Sequence, residues 1–356
     1  MSNLQLEWSE TELLATDKVA EPLIAGGVRC HGGYRESGEY VSPRTKFRAP
    51  AIAAWQQSHC EQFDTEILEA PLELWPEVFP NVAQTKALLR AGVPGPTISS
   101  LTRIGTVEGF GGMIRNVHVD DLQSHFSESI RGTAIAHLER GLFEAHARDE
   151  AGWEDEGGHK QMWFAARDVA FDNPVTEDMT QAMLIRMGIV PADGKAPTPE
   201  EIRANAEAVR AFPDIDLSLE MMLRRMVGLL FIEVSAFHTF AWAETVLADD
   251  DLVAGNGAAA ELVRCVRADE TPHVEYLRTA LTEMRDRTFL GESGNQMAGT
   301  EVVGRLWDAA LEQSLGVNRA TFVRQALGEV EHALAGHPRR TSILEEFHEL
   351  GSEKVA

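Results

Sequence analysis

Two short segments of the chain carry the same residues at the same spacing: Asp155-Glu156-Gly157-Gly158-His159 and Asp269-Glu270-Thr271-Pro272-His273. On a helix, residues three apart lie on one face, so each Glu and His can reach a single ion. A carboxylate that chelates or bridges, beside a neutral imidazole, suits iron or manganese. Glu-x-x-His alone is a weak signal. It recurs at Glu329/His332 and Glu345/His348, where the charged surroundings point to ordinary exposed helix faces. Context separates the first two from these.

Each of the two motifs falls in the second helix of a predicted helical hairpin. In the later hairpin the turn is centred near Asp251, which places Glu233 opposite Glu270 and His273. Glu233 lies between Ile232 and Val234 in the most apolar stretch of the chain. An uncoordinated carboxylate there is costly to bury or takes up a proton, and a metal ion removes the difficulty. In the earlier hairpin, a turn near residues 149–154 puts Glu144 opposite Glu156 and His159. Glu128 is the alternative. Glu144 is favoured because Gly141, one turn earlier, permits close helix approach.

The elements that must hold these residues are helical. Asp120 or Asp121 is expected to open a helix through Ile130, Ala134, Leu138, Leu142 and Ala145, broken at residues 149–152. A second helix carries Met162 to Val169 and stops before Asn173-Pro174. A long connection follows, with a loop at 191–197 and a short helix opened by Thr198-Pro199-Glu200-Glu201, a capping threonine with proline and glutamate behind it. Long helices are expected at 217–247 and 258–287, and further ones at 301–335, with a break at Gly316, and at 341–350. Helix-turn-helix, long crossover, helix-turn-helix is the topology of a four-helix bundle with one long connection. The expectation is an all-α fold: residues 119–290 as the bundle, 291–356 as extra helices, and 1–118 as an irregular segment packed on it. That segment has helix candidates at 51–62 and 81–90, and its His31-Gly32-Gly33-Tyr34-Arg35 reads as a glycine turn.

Composition narrows the function. The chain has 356 residues, 44% hydrophobic and 25% charged, with a formal net charge of −24. That charge is spread along the sequence and repels nucleic acid and anionic lipid, so neither is expected as a partner. The stretch from Met226 to Ala248 is long enough to cross a membrane, but Glu233, His238 and Glu244 interrupt it, and it reads as a buried helix. Cys30, Cys60 and Cys265 form no disulfide framework, and the N-terminus lacks the basic and apolar regions of a signal peptide, so a cytoplasmic protein is expected. No P-loop, GxGxxG after a strand, GxSxG elbow or zinc-type cysteine cluster is present.

One Glu on each first helix and Glu-x-x-His on each second helix resembles the ferritin-like dinuclear carboxylate superfamily. That group includes ribonucleotide reductase small subunits, multicomponent monooxygenases, acyl-carrier desaturases and rubrerythrins. The repeated Asp-Glu-x-x-His looks like the pattern of its arylamine N-oxygenase branch. The resemblance spans roughly residues 120 to 287. It implies two bound iron ions, or iron and manganese, bridged by Glu156 and Glu270, with one imidazole each from His159 and His273 and terminal carboxylates from Glu144 and Glu233. Asp155 and Asp269 would orient the histidines from behind. The activity it implies is dioxygen activation and oxidation of a small organic substrate, by hydroxylation, N-oxygenation or desaturation, with an external electron donor, and a homodimer is an assembly it allows. The alternative is a non-catalytic ferritin-like metal-binding or interaction protein.

Overall fold

Apolar stretches between turn signals become helices in a computed structural model that describes residues 4–171, 175–186 and 198–352. Six helices position the residues of interest: α1 (Gly95–Gly111), α2 (Phe143–Ala151), α3 (His159–Phe171), α4 (Leu217–Leu247), α5 (Ala258–Asp269) and α6 (Thr271–Arg285). Helix α3 packs between α1 and α5, α2 packs on α1, and α4 lies along both α5 and α6. Strands among the described residues are short: an antiparallel sheet of β1 (Glu21–Ala25), β2 (Val28–Tyr34) and β3 (Tyr40–Val41), and a hairpin at Thr288–Leu290 and Gln296–Ala298. The structure is mostly helical, as expected.

The apolar run at 217–247 forms one 31-residue helix, opened by Asp216, whose carboxylate accepts from the backbone N–H groups of Ser218 and Leu219. By length and composition it could cross a membrane, but 56% of its most apolar window is buried inside the protein. Leu219, Met222, Leu223, Met226 and Leu230 are fully enclosed there. Pro272 falls in the first turn of α6, where its missing N–H costs nothing, so the line of α5 and α6 is interrupted at Glu270.

Three expectations about helix placement are corrected. The helix expected from Asp120 or Asp121 begins only at Ala134; residues 122–125 form a single 3₁₀ turn. Its start is fixed by Thr133 and by the Glu283 carboxylate, which accepts from the N–H groups of Ala134 and Ile135 at 3.1 and 3.0 Å. At Gly316 the chain does not break but widens into a π-helical segment, Gln313–Asn318, within otherwise continuous helix. The third correction matters most. Residues 95–111, obscured in sequence by glycine and proline, form α1. A Cβ on Gly105 would lie 2.8 Å from the Phe164 ring, and one on Gly112 would lie 2.9 Å from Ala151, so glycine lets α1 lie tight against α2 and α3.

The helices expected near 51–62 and 81–90 are present as Arg48–Phe63 and Val82–Arg90, and the Thr198 capping box is formed. The loop at 191–197 and Asn173-Pro174 lie outside the described residues. The His31 segment is not a turn: it is part of β2, which clips onto the connection between α2 and α3 through His31 N–H to Gly157 C=O at 2.9 Å and Gly157 N–H to Arg29 C=O at 2.8 Å. This contact packs the N-terminal segment onto the helices that follow.

Candidate metal centre

The six helices bring four glutamates and three histidines to one buried point. His146 and Glu150 come from α2, Glu233 from α4 and His273 from α6; ligand atoms of these four lie within 4.8 Å of one another. A second group with the same spread contains Glu108 from α1, Glu150, His159 from the start of α3, and Glu270 from the α5–α6 junction. Glu150 belongs to both. Its Oε1 lies 3.6 Å from His146 Nε2, 3.4 Å from His159 Nδ1 and 3.3 Å from His273 Nδ1. Glu270 also faces both sides, with Oε1 3.0 Å from His159 Nδ1 and Oε2 2.7 Å from His273 Nδ1. Glu233 Oε1 is 3.4 Å from His146 Nε2 and 4.0 Å from His273 Nδ1.

These atoms converge without satisfying each other. His146 Nε2, His159 Nδ1, both Glu150 oxygens and Glu270 Oε1 are buried and lack a hydrogen-bond partner. Even His159 Nδ1 and Glu270 Oε1, at 3.0 Å, are misaligned for a hydrogen bond. Buried polar groups are rarely left so, because each orphan costs about 1–3 kcal/mol. Several orphaned donor atoms facing one space fit bound cations. Four carboxylates also balance the charge of two divalent ions.

The outward nitrogens of His273 and His146 are held, whereas His159 Nε2 makes no hydrogen bond. Asp149 Oδ2 accepts from His273 Nε2 at 2.9 Å, and Asp149 is itself fixed by Arg48 at 2.7 Å and by Arg44 at 2.5 Å. Asp269 Oδ2 stands 3.6 Å behind His159 Nε2 and accepts from His31 Nε2 at 3.0 Å and Tyr40 O–H at 2.9 Å. Tyr276 O–H lies 3.1 Å from His146 Nδ1. Outer partners of this kind fix the tautomer and orientation of a ligand histidine.

Local electrostatics record the crowding. Burial raises the pKa of Glu233, and the Glu270 and Glu150 carboxylates add to it, holding it well above the ordinary range. Glu108 is raised in the same way by burial, Glu150 and Glu270. Burial disfavours the charged imidazole of His159, but Glu270 and Glu150 outweigh it and lift its pKa well above normal. His273 is lifted likewise against burial, chiefly by Glu270. Burial and the His273 charge push His146 well below normal. Arg44 and Arg48 overcome burial and hold Asp149 well below the usual carboxylate range.

Of the residues expected at the centre, the structure gathers His159, Glu233, Glu270 and His273. It does not gather Glu156, Glu144 or Glu128. The reason for Glu156 is local. Helix α2 ends at Ala151, and Gly152, at φ +83°, turns the chain into a loop that returns so closely that a Cβ on Gly158 would collide with Asp149 C=O and Gly152 N. Asp155 and Glu156 sit on that outer loop, 73% and 37% exposed, paired with Arg29 at 3.1 and 3.3 Å. With the loop left out, Glu150, Ala151, Gly158 and His159 supply the Glu-x-x-His spacing. Glu150 thus takes the place expected for Glu156, and Asp149 that of Asp155. Glu144 binds Arg148 at 2.6 Å and Arg115 at 3.2 Å. Glu128 accepts from the Thr288 N–H and hydroxyl at 2.8 and 3.0 Å. Glu244 pairs with Arg267 at 3.1 Å.

Glu108, His146 and Glu150 were missed. The pair Asp149-Glu150 repeats Asp269-Glu270, and His146 stands four residues before Glu150 on one helix face. Those are the signals that could have found two of them; Glu108 sits in a helix that periodicity did not reveal.

A cavity of about 330 Å³ opens beside the centre, with Glu108 in its wall. Trp75, Ile104, Phe231, Trp242 and Phe322 are among the apolar residues that line it. Protein-family models, curated proteins and solved structures yield no match to this chain.

Proposed function

We propose that the cluster is a dinuclear metal centre in a ferritin-like four-helix arrangement, and that the protein uses dioxygen to oxidise a small organic molecule held in the adjoining cavity. The observation that carries this reading is the set of buried, unpartnered ligand atoms on His146, Glu150, His159 and Glu270. One ion would be held by His146, Glu233 and His273, the other by Glu108 and His159. Glu150 and Glu270 reach both and are the bridging carboxylates.

Loaded with iron, or iron and manganese, such a pair supplies the redox-active positions at which dioxygen is reduced. The chain's own residues do the rest. Glu150 and Glu270, which face both groups of ligands, would be shared by the two ions. Asp149, backed by Arg44 and Arg48, holds His273 with its Nδ1 turned inward. Asp269, backed by His31 and Tyr40, stands behind His159. Glu108 lies between the centre and the cavity, so it faces substrate from the first turn of contact. Aromatic side chains line that space, which is partly open to solvent. The mainly apolar lining of a cavity next to the ligand cluster favours the enzymatic reading over storage.

The test is anaerobic loading with ferrous iron followed by exposure to oxygen, read by absorption and by oxygen consumption. The reading predicts two irons per chain and an optical change on oxidation that needs both. Protein that binds no iron, or binds it without reacting with oxygen, contradicts it.

A further inference from the structure

The cavity beside Glu108 carries two cations that the centre does not use. Arg103 lies on α1, five residues before Glu108, and its guanidinium stacks over the Phe322 ring at 4.2 Å. Arg319, at the end of the π-helical segment, approaches the same ring at 5.7 Å. Both line the cavity. Among the described residues Arg103 makes no hydrogen bond or ion pair. The carboxylate that influences it, Glu329, is taken by Arg186 at 2.8 Å and by Ser99 at 2.9 Å. Arg319 donates to the Glu77 carbonyl at 2.8 Å and has no carboxylate at ion-pair distance among the described residues. Burial pushes the Arg103 pKa down to about 10, partly offset by Glu329, so it remains charged at neutral pH.

Two neighbouring cations without a carboxylate, in the wall of an apolar cavity, call for an anion from outside. A guanidinium presents a planar fork that matches a carboxylate with two parallel hydrogen bonds. We infer that the cavity binds an amphiphilic organic acid, its carboxylate held by Arg103 and Arg319 and its apolar body running along α1 to Glu108. This rests on the reading of the centre as catalytic, and it adds the substrate class. Five helical residues rise about 7.5 Å, so the group presented at Glu108 lies several bonds from the carboxylate. The cavity is at the small end of the roughly 300–1,000 Å³ range of ligand sites, which limits the acid to a short chain or a single ring.

Three probes of one shape separate the terms: 4-phenylbutyrate, 4-phenylbutan-1-ol and 4-phenylbutylamine. Their binding is followed by tryptophan fluorescence, because Trp75 and Trp242 line the cavity. Each is titrated into the protein loaded with metal and after treatment with a chelator. The acid should bind about tenfold or more tighter than the alcohol in both preparations, with the amine weakest, as a desolvated charge-assisted pair requires. Arg103→Met should erase that preference while leaving alcohol binding unchanged, and Arg103→Lys should keep part of it. Arg319→Met should reduce the preference as well. Equal binding of acid and alcohol overturns the inference. So does an acid preference found only with metal present, which would place the carboxylate on the ions. Loss of acid and alcohol binding together in Arg103→Met, with Arg103→Lys no better than Met, also overturns it. A protein that takes up no metal yet prefers the acid would leave this inference standing and remove the catalytic reading, so the two fail separately.

Discussion

Asp149 and His273, 124 residues apart in sequence, share a hydrogen bond of 2.9 Å, and the residue after Asp149 is the glutamate that faces the other nitrogen of the same ring. The relation recurs in mirrored form: Asp269 stands behind His159, and the next residue, Glu270, faces that ring's Nδ1. Asp149 thus braces a histidine from the opposite half of the chain by a hydrogen bond, and Asp269 stands at the corresponding place behind His159 without one.

This bracing predicts the effect of Asp149→Asn. Metal affinity should fall by about 10–100-fold, as it does when the partner behind a ligand histidine is removed. Arg44 and Arg48 would also be left buried without their carboxylate, a loss of about 3–5 kcal/mol that should appear in the melting temperature. Asp155→Asn, on the exposed loop, should change neither. Metal titration and thermal melting of both variants check this, and equal behaviour of the two would contradict the assigned roles.

Close approach of α1 to α2 makes a second prediction. A Cβ on Gly111 would lie 2.7 Å from Glu150 Cγ and 2.9 Å from its Cδ. Gly111→Ala should therefore displace the Glu150 carboxylate and lower metal occupancy, while circular dichroism shows helix content retained. Full occupancy in this variant would mean that Glu150 is not held where the bridging role needs it.

The electrostatics give a pH dependence. Without metal, the neighbouring carboxylates raise the pKa values of His159 and His273 well above the usual imidazole value, so both hold their protons to higher pH than a free imidazole. Glu108 and Glu233 are raised above the usual carboxylate range and hold protons beyond it. Metal can bind only by displacing these protons. Binding should release protons at pH 7, and affinity should rise as pH increases through the neutral range. Calorimetric titration with Mn²⁺ in buffers of different ionisation heat measures the release. A value of zero would contradict the protonation states described.

The later half of the centre was legible in sequence because its physics is local. Leu217–Leu247 is unbroken and apolar, the turn near Asp251 is short, and Glu233 in such a setting needs a partner. The earlier half was not, for two reasons. The loop between Gly152 and Gly158 separates Glu150 from His159 in sequence but not in space, and it carries a second Glu at the spacing a continuous helix would require. Helix α1 owes its position to glycines that allow contact with Phe164, Ala151 and Glu150, and those glycines suppress the helical pattern that reveals the others. The same cause hid Glu108.

If Glu150 and Glu270 are shared by two ions, metal content per chain in paired variants reads this out. Wild-type protein loaded with ferrous iron and freed of excess should retain two ions, and Glu156→Ala should retain two as well. Glu150→Ala should lose both, because each ion depends on the shared carboxylate. Two ions retained in Glu150→Ala, or none in the wild type, would contradict the account.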